Sequence, residues 1–435
     1  MNNPNRSPTF SLEHAEISDM GMRRMNNQDA IAVMVTNDAN TWASRGHLLM
    51  VADGMGAHAA GELASKMAVD NIPHMYFKLR DLYPPAALRQ AIRDANRVIH
   101  TKGQSSIGFQ GMGTTCSCLV LLPQGALVAH IGDSRVYRLR GRLLEQLTFD
   151  HSLVWEMAAA GQIPEAEVPA YIPKNVITRS LGPHPTVNID VEGPFHAESG
   201  DVFLLCSDGL SGQIGDEELG AILQCLPPAE AAQSMVDIVN LRGGPDNISV
   251  IIARVVGESG PANDSQANPP DHHSQSRWPS LPVSIIFGIC LVAIAYCVVY
   301  QLWIGATVSA FVALILVAAW SYRAGAASGT ADGSLGGPYG NGPYRRIECG
   351  PTHGVVDALA DIAARLRDLP GKNFGNWNVN WQDFDAVRGQ AAAAANAGHF
   401  ADAIRRYCQA IRNIMQQLRD HRPTFESEKG SDTTP

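Results

Sequence analysis

Four apolar runs in this 435-residue chain carry an aspartate at one end, each beside glycine or asparagine. Leu48-Leu-Met-Val-Ala-Asp53-Gly54 is the first and Leu127-Val-Ala-His-Ile-Gly132-Asp133-Ser134 the second. Val202-Phe-Leu-Leu-Cys-Ser207-Asp208-Gly209 is the third; in the fourth the order reverses, Gly243-Gly-Pro-Asp246-Asn247 leading into Ile248-Ser-Val-Ile-Ile. Taken singly, an Asp-Gly step after hydrophobic residues is a turn. Taken together the four suggest something else. The runs are too continuously apolar for half-exposed hairpin strands and read as strands buried on both faces. Aspartates at their mouths would then converge at one sheet edge. Converging carboxylates repel one another, and a hard divalent cation is the usual resolution. Oxygen donors without a His/Cys pattern favour Mg²⁺ or Mn²⁺ over Zn²⁺.

Charge and cysteine usage narrow the class. The net charge is -9, and the acidic excess lies in residues 1–280. Phosphate-backbone binding needs a basic surface, so nucleic acid is not the expected partner. An acidic site does concentrate divalent cations. None of the 8 cysteines forms a Cys-x-x-Cys pair. Cys116 and Cys118 would share one face of a strand as core residues, consistent with a reducing, cytoplasmic setting.

The elements that must position these aspartates follow from periodicity. Strands are predicted at 31–35, 47–52, 116–122, 127–131, 136–139, 202–206 and 248–255, with helices at 61–76, 85–101 and 229–241. Together they form one catalytic domain over 1–255. Residues 256–280 read as a polar, proline-bearing linker. No charged side chain occurs in 283–322, about twice the ~20 residues one crossing needs. We read 281–322 as a transmembrane hairpin, 281–300 and 302–322, breaking at Gln301 and Gly305; a single tilted crossing is the rival. Arg277 and Arg323 flank its ends and place both in the cytoplasm. The N-terminus lacks the apolar core of a signal peptide. A Gly/Ala/Ser-rich linker is expected over 323–344, a helical tail over 345–422 with helices at 354–369, 383–396 and 400–421, and disorder over 423–435.

The order of the motifs resembles a known family. Ser18-Asp19-Met-Gly21-Met-Arg-Arg24-Met-Asn-Asn27-Gln28-Asp29 comes first, then Val51-Ala-Asp53-Gly54-Met-Gly56 and Gly111-Met-Gly113-Thr114-Thr115. Ile131-Gly132-Asp133-Ser134-Arg135, Leu147-Thr148-Phe-Asp150-His151-Ser152, Asn175-Val-Ile-Thr178-Arg179, Ser207-Asp208-Gly209 and Gly243-Gly-Pro-Asp246-Asn247 follow in family order. Over roughly residues 12–255 the chain resembles the metal-dependent serine/threonine phosphatases of the protein phosphatase 2C-like family, in its bacterial form.

The resemblance implies an α+β fold, a four-layer αββα sandwich, and hydrolysis of phosphoserine or phosphothreonine with two or three Mn²⁺ or Mg²⁺ ions. It implies that Asp53 bridges two metals, that the carbonyl of Gly54 and the carboxylates of Asp208 and Asp246 complete the shell, and that Asp133 serves a third, weaker ion. It gives Arg24 the substrate phosphate, which suits a planar, permanently charged guanidinium, and gives Asp29 the ordering of metal-bound water. Phosphorylated proteins, a cognate serine/threonine kinase and the inner membrane are the implied partners. Thiol-phosphatase chemistry is disfavoured, because Cys116, Cys118, Cys206 and Cys225 each lack an arginine six positions on.

The chain departs from the pattern in places. Gln28 stands where many members have a glutamate, so a second metal would lose one charge. Met55 replaces the histidine that animal members use as proton donor; His58 reads as a capping or structural residue at the start of the following helix, with replacement of that proton donor as the rival reading. Ala57 replaces a glycine, and Tyr171-Ile-Pro-Lys174 in the variable flap at 149–176 lacks the usual His-Pro. These departures keep an alternative open, a catalytically weakened binding module. In the tail, Gly398, Phe400, Ala403, Tyr407 and Ala410 are similar to one tetratricopeptide-type hairpin, although one copy is fewer than the ~3 a solenoid needs. An ordinary amphipathic pair explains them equally well.

Overall fold

The computed structural model describes residues 11–56, 59–161, 176–257, 338–368 and 380–420. The predicted hairpin at 281–322, most of the linkers, Ala57, His58 and Tyr171 lie outside the described residues. Among those described, no helix is long and apolar enough to cross a membrane.

Two six-stranded antiparallel sheets form the centre. The first holds β2 (Asp29–Met34), β3 (His47–Met55), β5 (Cys116–Leu122), β6 (Gly125–Ile131) and β9 (Asp190–Phe195), in that order, with β4 (Gly113–Thr114) paired to the end of β3. The second runs β1 (Ser11–Asp19), β11 (Ile248–Val256), β10 (Val202–Cys206), β7 (Arg135–Arg140), β8 (Leu143–Gln146) and β12 (Arg345–Glu348). The apolar runs explain the stacking. Leu49, Val51, Leu119 and Val128 of one sheet meet Val136, Phe203, Leu205, Ile251 and Ala253 of the other in a single buried cluster. Alternate residues of each strand therefore face the opposite sheet, while their neighbours face helices.

Helices α2 (Ala60–Lys78) and α3 (Pro84–Gln104) pack together, and α2 lies on β2 and β3. On the far side of the second sheet lie α6 (Asp216–Cys225) and α7 (Pro228–Leu241). Short helices α1 (Ala39–Arg45), α4 (Leu153–Ala159) and α5 (Asp208–Ser211) fill connections. The polar strands β1, β8, β9 and β12 and helix α6 are additions to the sequence-based elements. β1 alternates exposed and half-buried residues yet pairs with β11 over its whole length, so its partner rather than its composition holds it.

The tail is not a separate body. Residues 338–420 belong to the same compact unit as the sheets, and the expected linker at 323–344 gives way to ordered structure by residue 338. β12 adds an antiparallel strand to β8. Helices α8 (His353–Asp368), α9 (Trp381–Asn396) and α10 (Phe400–Asp420) then bury Val355, Leu359, Ile362, Phe384, Ile404, Ile411 and Ile414 in one core with α6 and α7. At about 1.5–3 kcal/mol for each large side chain taken out of water, this contact is a stable one. Polar links seal it: Arg405 Nε donates to the Cys225 carbonyl at 2.9 Å, Arg412 Nη1 to Ser234 Oγ at 2.7 Å, and Arg419 pairs with buried Asp237.

Candidate active site

Asp53-Gly54 is not a turn. Both residues lie within β3, which continues to Met55. Asp53 stands directly across from Asp29, the first residue of β2, so two carboxylates are cross-strand neighbours with their Cβ atoms ~5 Å apart. The backbone there is fixed from the other side. Asp53 N–H donates to Thr115 Oγ1 at 2.8 Å, and the Asp53 carbonyl accepts from Thr115 N–H at 2.8 Å and from the Thr114 hydroxyl at 2.9 Å. Thr115 Oγ1 also lies 2.8 Å from Ser134 Oγ, tying Asp53 to the loop that carries Asp133. Gly54 is required by close approach: a Cβ there would come within 2.1 Å of the Gly61 carbonyl.

The second sheet delivers the rest. Asp208 opens α5 where β10 ends, and Asp246 lies two residues before the start of β11. Asn247 makes that juncture rigid. Its Oδ1 accepts from Gln28 N–H at 2.9 Å, and its Nδ2 donates to the carbonyls of Met20 and Asn26, each at 3.0 Å. One side chain thus holds the loop bearing Arg24 against the end of β11. Arg24 Nη2 reaches Asp246 Oδ2 at 2.7 Å and remains about half exposed, free to face a ligand from solvent. Ser207 Oγ donates to Asp29 Oδ2 at 2.8 Å.

Electrostatics mark the cluster as unsatisfied. Burial, followed by the negative charges of Asp29, Asp208, Asp133 and Asp246, lifts the Asp53 carboxyl well above its usual range. Burial raises Asp29 to about 7 and Asp133 to about 8, with neighbouring aspartates adding to both shifts. Asp208 is raised by burial and then by Asp246. Asp29 Oδ1, Asp133 Oδ1 and Asp208 Oδ1 are buried and have no donor. Buried carboxylate oxygens are ordinarily hydrogen-bonded, so this donor set suits a hard divalent cation. Among the described residues no three such side chains already stand as a finished metal cage. Arg24 pairs with Asp246.

The sequence-predicted residues Arg24, Asp29, Asp53, Gly54, Asp133, Asp208 and Asp246 therefore come from six chain segments to the same end of the two sheets. Ser207, Thr114, Thr115 and Asn247 were visible inside the quoted motifs but had no role until their hydrogen bonds were seen. The Gln28 side chain makes a long contact, 3.5 Å to the Gly56 carbonyl. Its backbone contributes more: the Gln28 carbonyl accepts from Gly54 N–H at 3.1 Å and from Ser65 Oγ at 2.6 Å.

Comparison with known proteins places this two-sheet fold with acidic strand ends in one phosphatase class. The protein phosphatase 2C family profile matches residues 22–240. Protein phosphatase PhpP of Streptococcus pneumoniae is 36% identical over 250 residues, spanning 55% of this chain and 96% of that protein. Serine/threonine protein phosphatase PstP of Mycobacterium tuberculosis is 35% identical over 255 residues, 57% of this chain and 46% of PstP. The solved serine/threonine phosphatase of S. agalactiae superposes with a TM-score of 0.50 at 32% identity, covering 56% of this chain and all of that one. The chain belongs to the protein phosphatase 2C family, as its motif order implied.

Proposed function

We propose that this protein hydrolyses phosphoserine and phosphothreonine in proteins, using two or three Mn²⁺ or Mg²⁺ ions, at the cytoplasmic face of the inner membrane, where it opposes a serine/threonine kinase. The observation that carries the catalytic reading is the meeting of Asp29, Asp53, Asp133, Asp208 and Asp246, with donor-less oxygens on Asp29, Asp133 and Asp208, beside an exposed guanidinium. Asp53, the Gly54 carbonyl, Asp208 and Asp246 would hold two ions, and Asp133 a third. When bound, the ions supply an activated water nucleophile and offset charge on the phosphoryl oxygens.

The chain's own residues do the remainder. Arg24, anchored through Asn247, orients the phosphate by paired charge-assisted hydrogen bonds. Asp29, held by Ser207, presents one free oxygen that accepts a hydrogen bond from the attacking water and so orders it. Thr114 and Thr115 keep the Asp53 strand from shifting, which preserves in-line geometry. The test compares phosphothreonine-peptide hydrolysis by the full chain and by Asp53→Asn in excess Mn²⁺. Equal rates would sink the catalytic reading. Neutral Gln28 supports the alternative of a weakened module; calorimetric Mn²⁺ titration separates the two, since such a module would lack a tight ion pair of sites.

For membrane attachment we infer two crossings within 281–322. What supports an even number is that residues up to 257 and from 338 onward belong to one folded unit. A segment joining two parts of one domain must return to the side it left. A reporter fused after Pro435 should read cytoplasmic; an external reading overturns this topology.

A further inference from the structure

The chain re-enters the domain through residues 338–348, and this strap grips a particular place. Gly193 N–H donates to the Tyr339 carbonyl at 3.0 Å, and Gly342 N–H donates to Glu192 Oε2 at 2.9 Å. Tyr344 OH donates to Glu192 Oε1 at 2.6 Å, while its ring meets Phe149 edge-on at 5.4 Å. The Arg345 guanidinium lies 4.3 Å from the centre of the Trp155 ring, which the Arg135 guanidinium also approaches, at 5.7 Å. Two like charges share one ring because each has an acid nearby: Asp150 lies 2.7 Å from Arg135, and Asp216 3.8 Å from Arg345.

From Phe149 and Trp155 the contacts continue inward. Asp150, between them, holds Arg135 and accepts from Gln146 Nε2 at 2.8 Å. His151 N–H donates to the Gly132 carbonyl at 2.7 Å, and its Nδ1 accepts from Gly132 N–H at 3.0 Å. Gly132 and Arg135 bracket Asp133. Residues 149–155 are thus clamped on one side by the strap and on the other side clamp the loop of an active-site acid.

We propose that Tyr344 and Arg345 are positioning residues for the Asp133 loop, acting through Phe149, Trp155, Asp150 and His151. The strap that follows the 258–337 segment is therefore wired to the catalytic end of the domain. Only the activity arm of the test rests on the phosphatase reading.

The experiment compares full-length wild type, Arg345→Ala, Trp155→Leu and the double variant by amide hydrogen exchange and by kcat/KM on a phosphothreonine peptide. In Arg345→Ala, peptides covering 149–156 and 131–136 should exchange about tenfold faster while 47–55 stays unchanged, as local rather than global opening requires. The kcat/KM should fall about fivefold, and Arg345→Ala should add nothing in the Trp155→Leu background, because contacting residues are non-additive. Acceleration spread evenly over the domain, an unaffected 131–136 segment, or additive effects would each overturn the proposal. A wild type inactive on the peptide but with the expected exchange pattern would remove the phosphatase reading and leave the positioning role standing.

Discussion

The docking of the tail makes a sharp prediction at Asp237. This residue on α7 is fully buried, receives Gln233 Nε2 at 2.9 Å and Arg419 from α10, and keeps one oxygen without a partner. Burial raises its carboxyl from 3.8 to about 6, against the lowering pull of Arg419. The folded state therefore binds the proton more tightly than the unfolded chain. Its stabilising contribution is complete below about pH 4 and is lost as pH rises through about 6, roughly 3 kcal/mol across that window at ~1.4 kcal/mol per unit. Above that window the ionised acid depends on Arg419. Removing one partner of a buried pair costs about 3–5 kcal/mol, and Arg419 is one-third exposed, which reduces the cost to about 2 kcal/mol. Arg419→Met should then destabilise by about 2 kcal/mol at pH 7.5 and by under ~1 kcal/mol at pH 5, where Asp237 is largely neutral. Adding Asp237→Asn should restore most of the loss. Urea unfolding at both pH values, with amide exchange of α10 as the local readout, measures this. Equal penalties at the two pH values, or no rescue by Asp237→Asn, would refute the claim that this ion pair fastens the tail.

Three further outcomes are expected. Asp208→Asn should weaken Mn²⁺ binding in calorimetry and cut the peptide rate by about 10³-fold, because one ligand and one charge are lost together. Arg24→Ala should lower kcat/KM about 100-fold, or ~2.7 kcal/mol; Arg24→Lys should recover only part, lacking the planar fork. His130 is fully buried beside His151, and burial first, then the His151 charge, depresses its pKa to about 3. Its folded value lies below the unfolded one, so the stability it supports is complete above pH 6.5 and is lost as pH falls toward 3. Denaturant melts should show His130→Asn losing about 2 kcal/mol less than wild type between pH 7 and pH 5.

Much of the fold and site was legible along the chain because the relevant forces act locally. Strands β3, β5, β6, β10 and β11 announce themselves as continuous apolar runs, since a strand covered on both faces has no solvent side to make polar. The candidate metal-binding aspartates sit at the ends of such runs, where a buried strand meets the surface, and the order of the motifs along the chain was enough to place the family. Edge strands β1 and β12 were illegible for the opposite reason: half their residues face water, and only pairing with β11 and β8 makes them strands.

Asp53 shows the boundary between the two kinds of knowledge. Its residue type and its place after Leu48-Leu-Met-Val-Ala were enough to mark it as a candidate ligand. That it lies within a strand, opposite Asp29 and tied through Thr115 to the Asp133 loop, was decided by pairings to residues 24 and 62 positions away. The tail extends the same lesson. Its helices were written in their periodicity, but Arg419 finds Asp237 across 182 residues, and no local pattern encodes which buried acid a distant arginine will neutralise. Short-range geometry and hydrophobic burial are properties of a segment; convergence of charges and the closing of a domain on its own tail are properties of the folded chain, because electrostatic and packing energies depend on distance in space.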